Sequence, residues 1–355
     1  MERYRDYRDI VSFEKNELEE YLKENGYPAF RSKQIYEWVH KKLASSYEDL
    51  SNLPKKLREE LAGYYHVLPL EIKEKIVSKL DGTAKYLMAT HDGGIIESVA
   101  MQYDYGMSVC ISSQIGCRMG CKFCASTLLG LERSLTASEM LSQIYNIQRD
   151  MGKRVDNIVV MGIGEPFDNY DELIKFIRMV TNKDGLNISQ RNITVSTCGL
   201  VDRIYKFADE ELSVTLAISL HASNDEIRRK TMPVANKYSI KEIIDACRYF
   251  VDKTGRRVTF EYTMIAGVND SRECADELSA LLKGLLCHVN LIPLNAVKER
   301  EHRCAERENI ERFKRLLENN GVNSTIRKGM GKDIEAACGQ LRRKYVSGQT
   351  VQELL

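Results

Sequence analysis

The chain has 355 residues, 52 basic against 51 acidic, with a formal net charge of +1. That length holds a large catalytic domain with one smaller companion, and the balanced charge excludes a protein whose whole surface attracts nucleic acid, so any such surface is local. No apolar run approaches a membrane span, the start (MERYRDYRDIV) is too charged for a secretion signal, and the ten scattered cysteines fit a reducing cytosol better than a disulfide framework.

From Ser12 to about Tyr65 the pattern is helical. FEKNELEEYLKENG ends on Gly26, a C-cap residue, RSKQIYEWVHKKL places Ile35, Tyr36, Val39 and Leu43 at helical spacing, and a third helix starts at Pro54. The second helix carries Arg31, Lys33, Lys41 and Lys42 beside Tyr36 and Trp38. That mix suits gripping phosphates and stacking on bases, or else a solvated face with its aromatics in the core. Between Leu68 and Ser113 the period changes to two, with turn dipeptides at Asp81-Gly82 and Asp92-Gly93, so antiparallel hairpins are expected. On the third strand, IIESVAM, Glu97 interrupts apolar neighbours. The pattern alone favours an outward-facing residue; the alternative is a half-buried carboxylate whose pKa rises towards neutrality, as a general base requires.

Next comes CISSQIGCRMGCKFC, from Cys110 to Cys124, in which Cys117, Cys121 and Cys124 are spaced C-x3-C-x2-C. Thiolates at this spacing suit an iron–sulfur cluster or zinc. Three cysteines leave one iron of a cubane open, free to hold a small molecule. With Cys110 as a fourth ligand a structural zinc site is the alternative, but Phe123 inside the last C-x2-C shields a redox cluster from water, which zinc does not need. The spacing resembles the signature of the radical S-adenosylmethionine (SAM) superfamily, in which the open iron chelates the methionine part of SAM.

Beyond the loop the segments alternate: TASEMLSQIYNIQRDMG helical, DNIVVMG a strand, NYDELIKFIRMVTN helical, RNITVST a strand, LVDRIYKFADE helical. SVTLAISL, RRVTFEYTMI, HVNLIPL and VNSTIR follow as strands with helices between them. Such units imply parallel strands with right-handed crossovers. Six or so are too few for a closed eightfold barrel, so the expected fold class is α/β, a partial (β/α)6 radical SAM barrel with a helical N-terminal domain and a β-hairpin extension. Ligands in parallel α/β folds sit beyond the carboxyl ends of the strands. There the sequence places Gly164 and Glu165 (MGIGEP), Ser196, Ser219, Leu220 and His221 (LAISLH), and Asn295 (LIPLN), candidates for SAM contacts. MGIGEP lacks the third glycine of a dinucleotide fingerprint and resembles instead the radical SAM motif that holds the cofactor's ammonium group. GMGKD, residues 329–333, is not a phosphate loop, because it lacks the upstream glycine and has Asp333 where Ser or Thr is needed.

Together with KDIEAACGQLRRKY, these motifs resemble over nearly the whole chain the radical SAM methyltransferases that methylate an adenine of 23S ribosomal RNA. The resemblance implies one [4Fe-4S] cluster on Cys117, Cys121 and Cys124, and two SAM per turnover. One SAM methylates Cys338; the other, cleaved at the cluster, yields the radical that takes hydrogen from the new S-methyl group. The methyl carbon then adds to the base, Cys110 releases the RNA by forming a disulfide with Cys338, and Glu97 accepts the proton. For Cys198, Cys247, Cys274, Cys287 and Cys304 the reading is buried apolar thiols.

The expected division is 1–67 helical and RNA-engaging, 68–106 hairpin extension, 107–345 radical SAM core and 346–355 tail. Between Ser324 and Tyr345, Arg327, Lys328, Lys332, Arg342, Arg343 and Lys344 outweigh Asp333 and Glu335, a surface for an RNA backbone. CKFCAST favours the carbon-2 branch of the family over the carbon-8, antibiotic-resistance branch, and carbon-2 members can also act on an adenine beside the tRNA anticodon. AVKERE after Asn295 matches no assigned motif. The expected partners are 23S ribosomal RNA, with tRNA as a further substrate, and a flavodoxin- or ferredoxin-type electron donor; the expected enzyme is a cytoplasmic monomer. The rivals are a non-catalytic zinc RNA-binding protein and a radical SAM enzyme acting on a small molecule.

Overall fold

Three short amphipathic helices open the chain: α1 (Lys15–Glu24), α2 (Arg31–His40) and α3 (Lys55–Tyr64). The computed structural model describes residues 8–341. Glu14 and Glu17 cap α1 reciprocally. The apolar stripe of each helix, Leu18 and Leu22, Ile35 and Val39, Leu57 and Leu61, is buried in a core continuous with that of the remaining chain. Polar contacts fasten the junction: His40 Nδ1 lies 2.7 Å from the Tyr145 hydroxyl, and Arg149 donates to the carbonyls of Leu43 and Ala44 at 3.1 and 3.2 Å.

The strands and helices that follow are β1 (Leu70–Val77), β2 (Ala84–Thr90), β3 (Ile95–Tyr103), β4 (Gly106–Ile111), β5 (Gln114–Gly116), β6 (Leu131–Ser134), α4 (Ala137–Met151), β7 (Asn157–Val160), α5 (Tyr170–Val180), β8 (Ile193–Thr197) and α6 (Val201–Asp209). After them come β9 (Thr215–Ser219), α7 (Asp225–Thr231), α8 (Ile240–Thr254), β10 (Val258–Met264), α9 (Arg272–Leu282), β11 (Cys287–Pro293), α10 (Arg307–Asn319) and β12 (Ser324–Ile326). Ten strands form one sheet in the order β1-β2-β3-β4-β7-β8-β9-β10-β11-β12, while β5 and β6 pair apart from it. The meander β1 to β4 is antiparallel, and every pairing from β4 to β12 is parallel.

Helical crossovers therefore begin at β4, which serves both halves of the sheet. Val99 and Met101 on β3 and Arg327 just beyond β12 line one cavity although they lie near opposite ends of the strand order. The sheet is thus curled into an open barrel whose edges, β1 and β12, do not meet. The crossover helices are set by local signals. Thr136 and Glu139 box the start of α4, Ser239 and Glu242 that of α8, and left-handed Gly152 and Gly255 end them.

Candidate active site

The cysteine loop lies between β5 and β6 and faces the carboxyl ends of the parallel strands. Cys117, Cys121 and Cys124 line one cavity of about 960 Å³ together with Gly164, Glu165, Ser196, Ser219, His221, Asn295 and Cys338. The loop is held through its backbone. The Cys117 N–H donates to the Gly130 carbonyl (3.0 Å), Lys122 to Thr231 (2.9 Å) and Ala125 to Gly339 (2.8 Å). Arg300, from the unassigned AVKERE stretch, donates to the Cys124 carbonyl (3.0 Å) and to Thr127 Oγ1 (2.8 Å). Phe123 stands edge-on to the His221 ring with centroids 5.0 Å apart, on the cavity wall.

Burial pushes the Cys117 thiol up to about 12 and raises those of Cys121 and Cys124 as well. Such thiols give up their protons to a metal rather than to water. Arg228 is wholly buried. It donates to the carbonyls of Leu220 (3.2 Å), Ser219 (3.3 Å) and Cys198, yet among the described residues its Nη1 has no hydrogen-bond partner and no carboxylate is hydrogen-bonded to it. Its charge acts on Cys121 and Cys198. A buried guanidinium whose strongest electrostatic partners are two cysteines, ahead of the carboxylate of Asp225, fits a thiolate-bound iron–sulfur cluster, which is anionic. Among the described residues no three or more His, Cys, Asp or Glu side chains converge as ligands of a single ion. Cys110 opens on a different cavity from the three loop cysteines. Cys110 is therefore not placed beside the three loop cysteines as a fourth ligand.

The strand ends form the rim. Gly164 has φ +111°, and a Cβ there would lie 2.7 Å from Gln114 Cβ; one at Gly162 would lie 2.7 Å from the Ile111 carbonyl oxygen. Glu165 is buried and accepts hydrogen bonds from the Cys198 N–H (2.7 Å) and the Phe167 N–H (3.0 Å). Burial raises its pKa, and these donors oppose the rise. The hydroxyls of Ser196 and Ser219 are 3.3 Å apart. His221, at φ 54°, accepts from the Thr263 N–H through Nδ1 (2.9 Å), and burial, helped by Arg228, drops its pKa to about 3. It is a neutral imidazole with its proton on Nε2. Leu220 stands between two rim residues in the chain, but its side chain is fully buried in the core and does not line the cavity. Asn295 donates to the Cys338 carbonyl at 3.1 Å, so it also holds the C-terminal loop.

Cys338 lies on the boundary between this cavity and a second, of about 620 Å³, lined by Cys110, Val99, Met101 and Tyr103. Its loop is tied to both neighbours. Ser126 donates to the Leu341 carbonyl (2.8 Å) and Gln340 to the Ala296 carbonyl (2.9 Å). On the other side, the Gly331 N–H donates to Asp81 (2.9 Å) and Asp333 accepts from Ser78 (2.7 Å). GMGKD is thus a tether to the β1–β2 turn.

Two sequence readings are corrected by burial. Glu97 is 1% exposed, not outward-facing, and lies 3.7 Å from the equally buried Lys85. It shares a face of β3 with Val99 and Met101, and Lys85 in turn donates to the Glu335 carbonyl at 3.3 Å, next to the Cys338 loop. Arg327 is not a free phosphate contact. Its guanidinium lies 3.5 Å from the buried Glu261 carboxylate and lines both cavities. The charge of Cys338 is the main influence raising its pKa, against burial. Lys328 and Lys332 lie on the second cavity's wall, while Arg342, Arg343, Lys344 and the tail 346–355 fall outside the described residues. On α2, Tyr36 is a core residue, whereas Trp38 is part-exposed, bonded to Asn52 (2.6 Å) and covered by Lys42 (3.6 Å). Lys85, Arg228, Arg300 and Glu261 carried no motif; Lys85 and Glu261 were signalled by a charged residue within an apolar strand, whereas Arg228 and Arg300 lie in charged stretches that gave no signal.

Two family models match the chain: the radical SAM superfamily over residues 111–278, and the ribosomal RNA large subunit methyltransferase N-terminal domain over residues 8–67. A probable dual-specificity RNA methyltransferase RlmN of Lachnoclostridium phytofermentans is 56% identical over 346 residues, covering 98% of this chain and 97% of that protein. The chain belongs to the RlmN family. A second RlmN relative, from Clostridium perfringens, is 53% identical over 342 residues, covering 96% and 99% of the two chains. The crystal structure of a radical SAM methyltransferase from Sphaerobacter thermophilus superposes with a TM-score of 0.92 at 45% identity, covering 95% of this chain and 100% of that one. The open barrel is that of a radical SAM enzyme, and the RlmN family comprises RNA methyltransferases that use a [4Fe-4S] cluster and SAM. Among the described residues no helix is long and apolar enough to cross a membrane.

Proposed function

We propose that this RlmN-type enzyme methylates carbon 2 of an adenine in 23S ribosomal RNA, with Cys338 as methyl carrier and Cys110 as the thiol that frees the product. The observation that carries this reading is the position of Cys338, which faces the cluster cysteines through one cavity and Cys110 through the other. Carbons 2 and 8 of adenine are electron-poor, so direct methyl transfer from SAM fails there. When bound at Cys117, Cys121 and Cys124, the cluster supplies one electron to SAM and so gives access to radical chemistry. The rim residues Gly164, Glu165, Ser196, Ser219, His221 and Asn295 would hold SAM.

The chain's own residues do the rest. The Cys338 thiolate takes a methyl group and keeps that carbon between the two cavities, where it would lose one hydrogen atom to the radical chemistry and join the ring carbon, the adduct giving back one electron. Glu97 takes the proton from the ring carbon. The Cys110 thiolate then attacks Cys338 Sγ, the sulfur–carbon bond breaks, and the carbon leaves on the base as a methyl group after gaining a proton. The resulting disulfide is later reduced. An adenine beside the tRNA anticodon is a second substrate, and a flavodoxin- or ferredoxin-type protein is the electron donor.

The test is anaerobic incubation with methyl-labelled SAM, reductant and unmodified RNA, followed by nucleoside mass spectrometry. The expected product is 2-methyladenosine. 8-Methyladenosine would move the chemistry to the other carbon, and neither product from protein with a full cluster would defeat the reading. Cys338→Ala abolishes methyl transfer, and Cys110→Ala accumulates a covalent protein–RNA adduct visible on a denaturing gel.

A further inference from the structure

Flipping an adenine out of an RNA loop and into a protein cavity strips stacking from the base and from its neighbours in the strand. A protein that does this gains by offering the neighbours a new surface. The second cavity has one. Tyr103 forms part of the wall beside Cys110 and Cys338. Two residues on, at the turn between β3 and β4, Tyr105 stacks on it with ring centroids 4.9 Å apart and planes 7° from parallel. Tyr105 is 69% exposed, so the wall of the reactive cavity continues outward as a flat aromatic step that nothing in the described chain covers.

We propose that the Tyr103–Tyr105 step is a nucleobase subsite, receiving the base next to the target adenine in single-stranded or loop RNA. Three observations favour RNA over an apolar protein segment. The step is a two-ring stack rather than a broad apolar face. Lys328 and Lys332 lie on the wall of the same cavity and supply positive charge for the backbone that must follow the base. Two carboxylates at the edge of that loop are engaged: Asp81 accepts from the Gly331 and Thr83 N–H groups, and Asp333 accepts from the Ser78 hydroxyl and the Lys79 N–H. Asp104, between the tyrosines, is the acidic neighbour that the backbone must pass.

This inference rests on the adenine methyltransferase reading. It is tested with short RNA hairpins carrying 2-aminopurine on either side of the target adenine, using the wild-type enzyme and Tyr105→Ala, Tyr105→Phe and Tyr105→Trp, each with its cluster and SAM. Stacking quenches 2-aminopurine fluorescence, and methyl transfer is followed in parallel. Wild type is expected to quench the probe on one side of the target. Tyr105→Ala loses that quench and raises the KM for RNA about ten-fold, the scale of one lost base–aromatic stack, with kcat little changed. Tyr105→Phe and Tyr105→Trp restore both. If Tyr105→Ala keeps the wild-type quench and KM, the subsite is overturned while the function stands. If wild-type enzyme with an intact cluster methylates no RNA, the functional reading falls and the subsite with it.

Discussion

Arg327 stands at the meeting point of the two cavities, beside two thiols and one carboxylate. Cys110 must attack as a thiolate, yet burial and then the charge of Cys338 push its pKa up to about 12, with Arg327 the cation pulling it down. Arg327 is therefore a positioning and activating residue for the release step. In Arg327→Met the loss of that cation should move the pH dependence of Cys110 alkylation by iodoacetamide, read by peptide mass mapping, upward. Arg327→Lys should recover part of the shift. An unchanged profile would remove Arg327 from this role. The cysteines were legible in the sequence because C-x3-C-x2-C is a local pattern whose chemistry needs only the loop. The burial of Glu97 and the half-buried pairing of Arg327 with Glu261 were not, because they depend on the sheet curling until β3 and the end of β12 share one cavity, a relation between residues far apart in the chain.

At the level of elements, the site is built on strand ends, and the tightest of these is β7. Just past its end the chain runs so close to the β4–β5 junction that glycine is required: at Gly162 a Cβ would meet the backbone at the end of β4, and at Gly164 a positive φ adds to crowding against Gln114. Gly164→Ala should cost about 1–3 kcal/mol for the backbone conformation alone, read as a lower melting temperature of the apo protein. It should also weaken SAM binding measured by calorimetry on cluster-loaded enzyme. Wild-type melting and binding in Gly164→Ala would show that the loop relaxes around the new methyl group. Alternation of apolar strands and amphipathic helices made these units readable from sequence. It could not reveal that β4 pairs antiparallel with β3 and parallel with β7, so that hairpins and barrel form one sheet. Nor could it show that Arg300, in a stretch without periodicity, fastens the cysteine loop. Register and cross-loop hydrogen bonds follow from packing, not from local pattern.

Taken as a whole, the molecule joins its helical N-terminal region to the barrel through a buried polar seam, and this joint has a pH dependence. His40 is 1% exposed, packs at a tilt against the Tyr36 ring (centroids 4.2 Å apart) and meets the Tyr145 hydroxyl, and burial drops its pKa to about 3. In the unfolded chain the same imidazole titrates near 6.5. Its folded-state pKa is therefore depressed: the stability it permits is complete above about pH 6.5 and is lost as pH falls towards 3. The loss reaches up to about 1.4 kcal/mol per pH unit. Asp9 works in the opposite direction. It is bound to Ser138 on α4 (2.9 Å), and burial raises its pKa to about 6, so it gains stability over part of the same range. The difference between variants isolates the histidine. Urea unfolding of His40→Gln and wild type at pH 7 and pH 4.5 should show a smaller loss of stability on acidification in the variant, by about 1–2 kcal/mol. Equal losses would mean that His40 is already protonated in the folded protein, or that the seam opens before the core does.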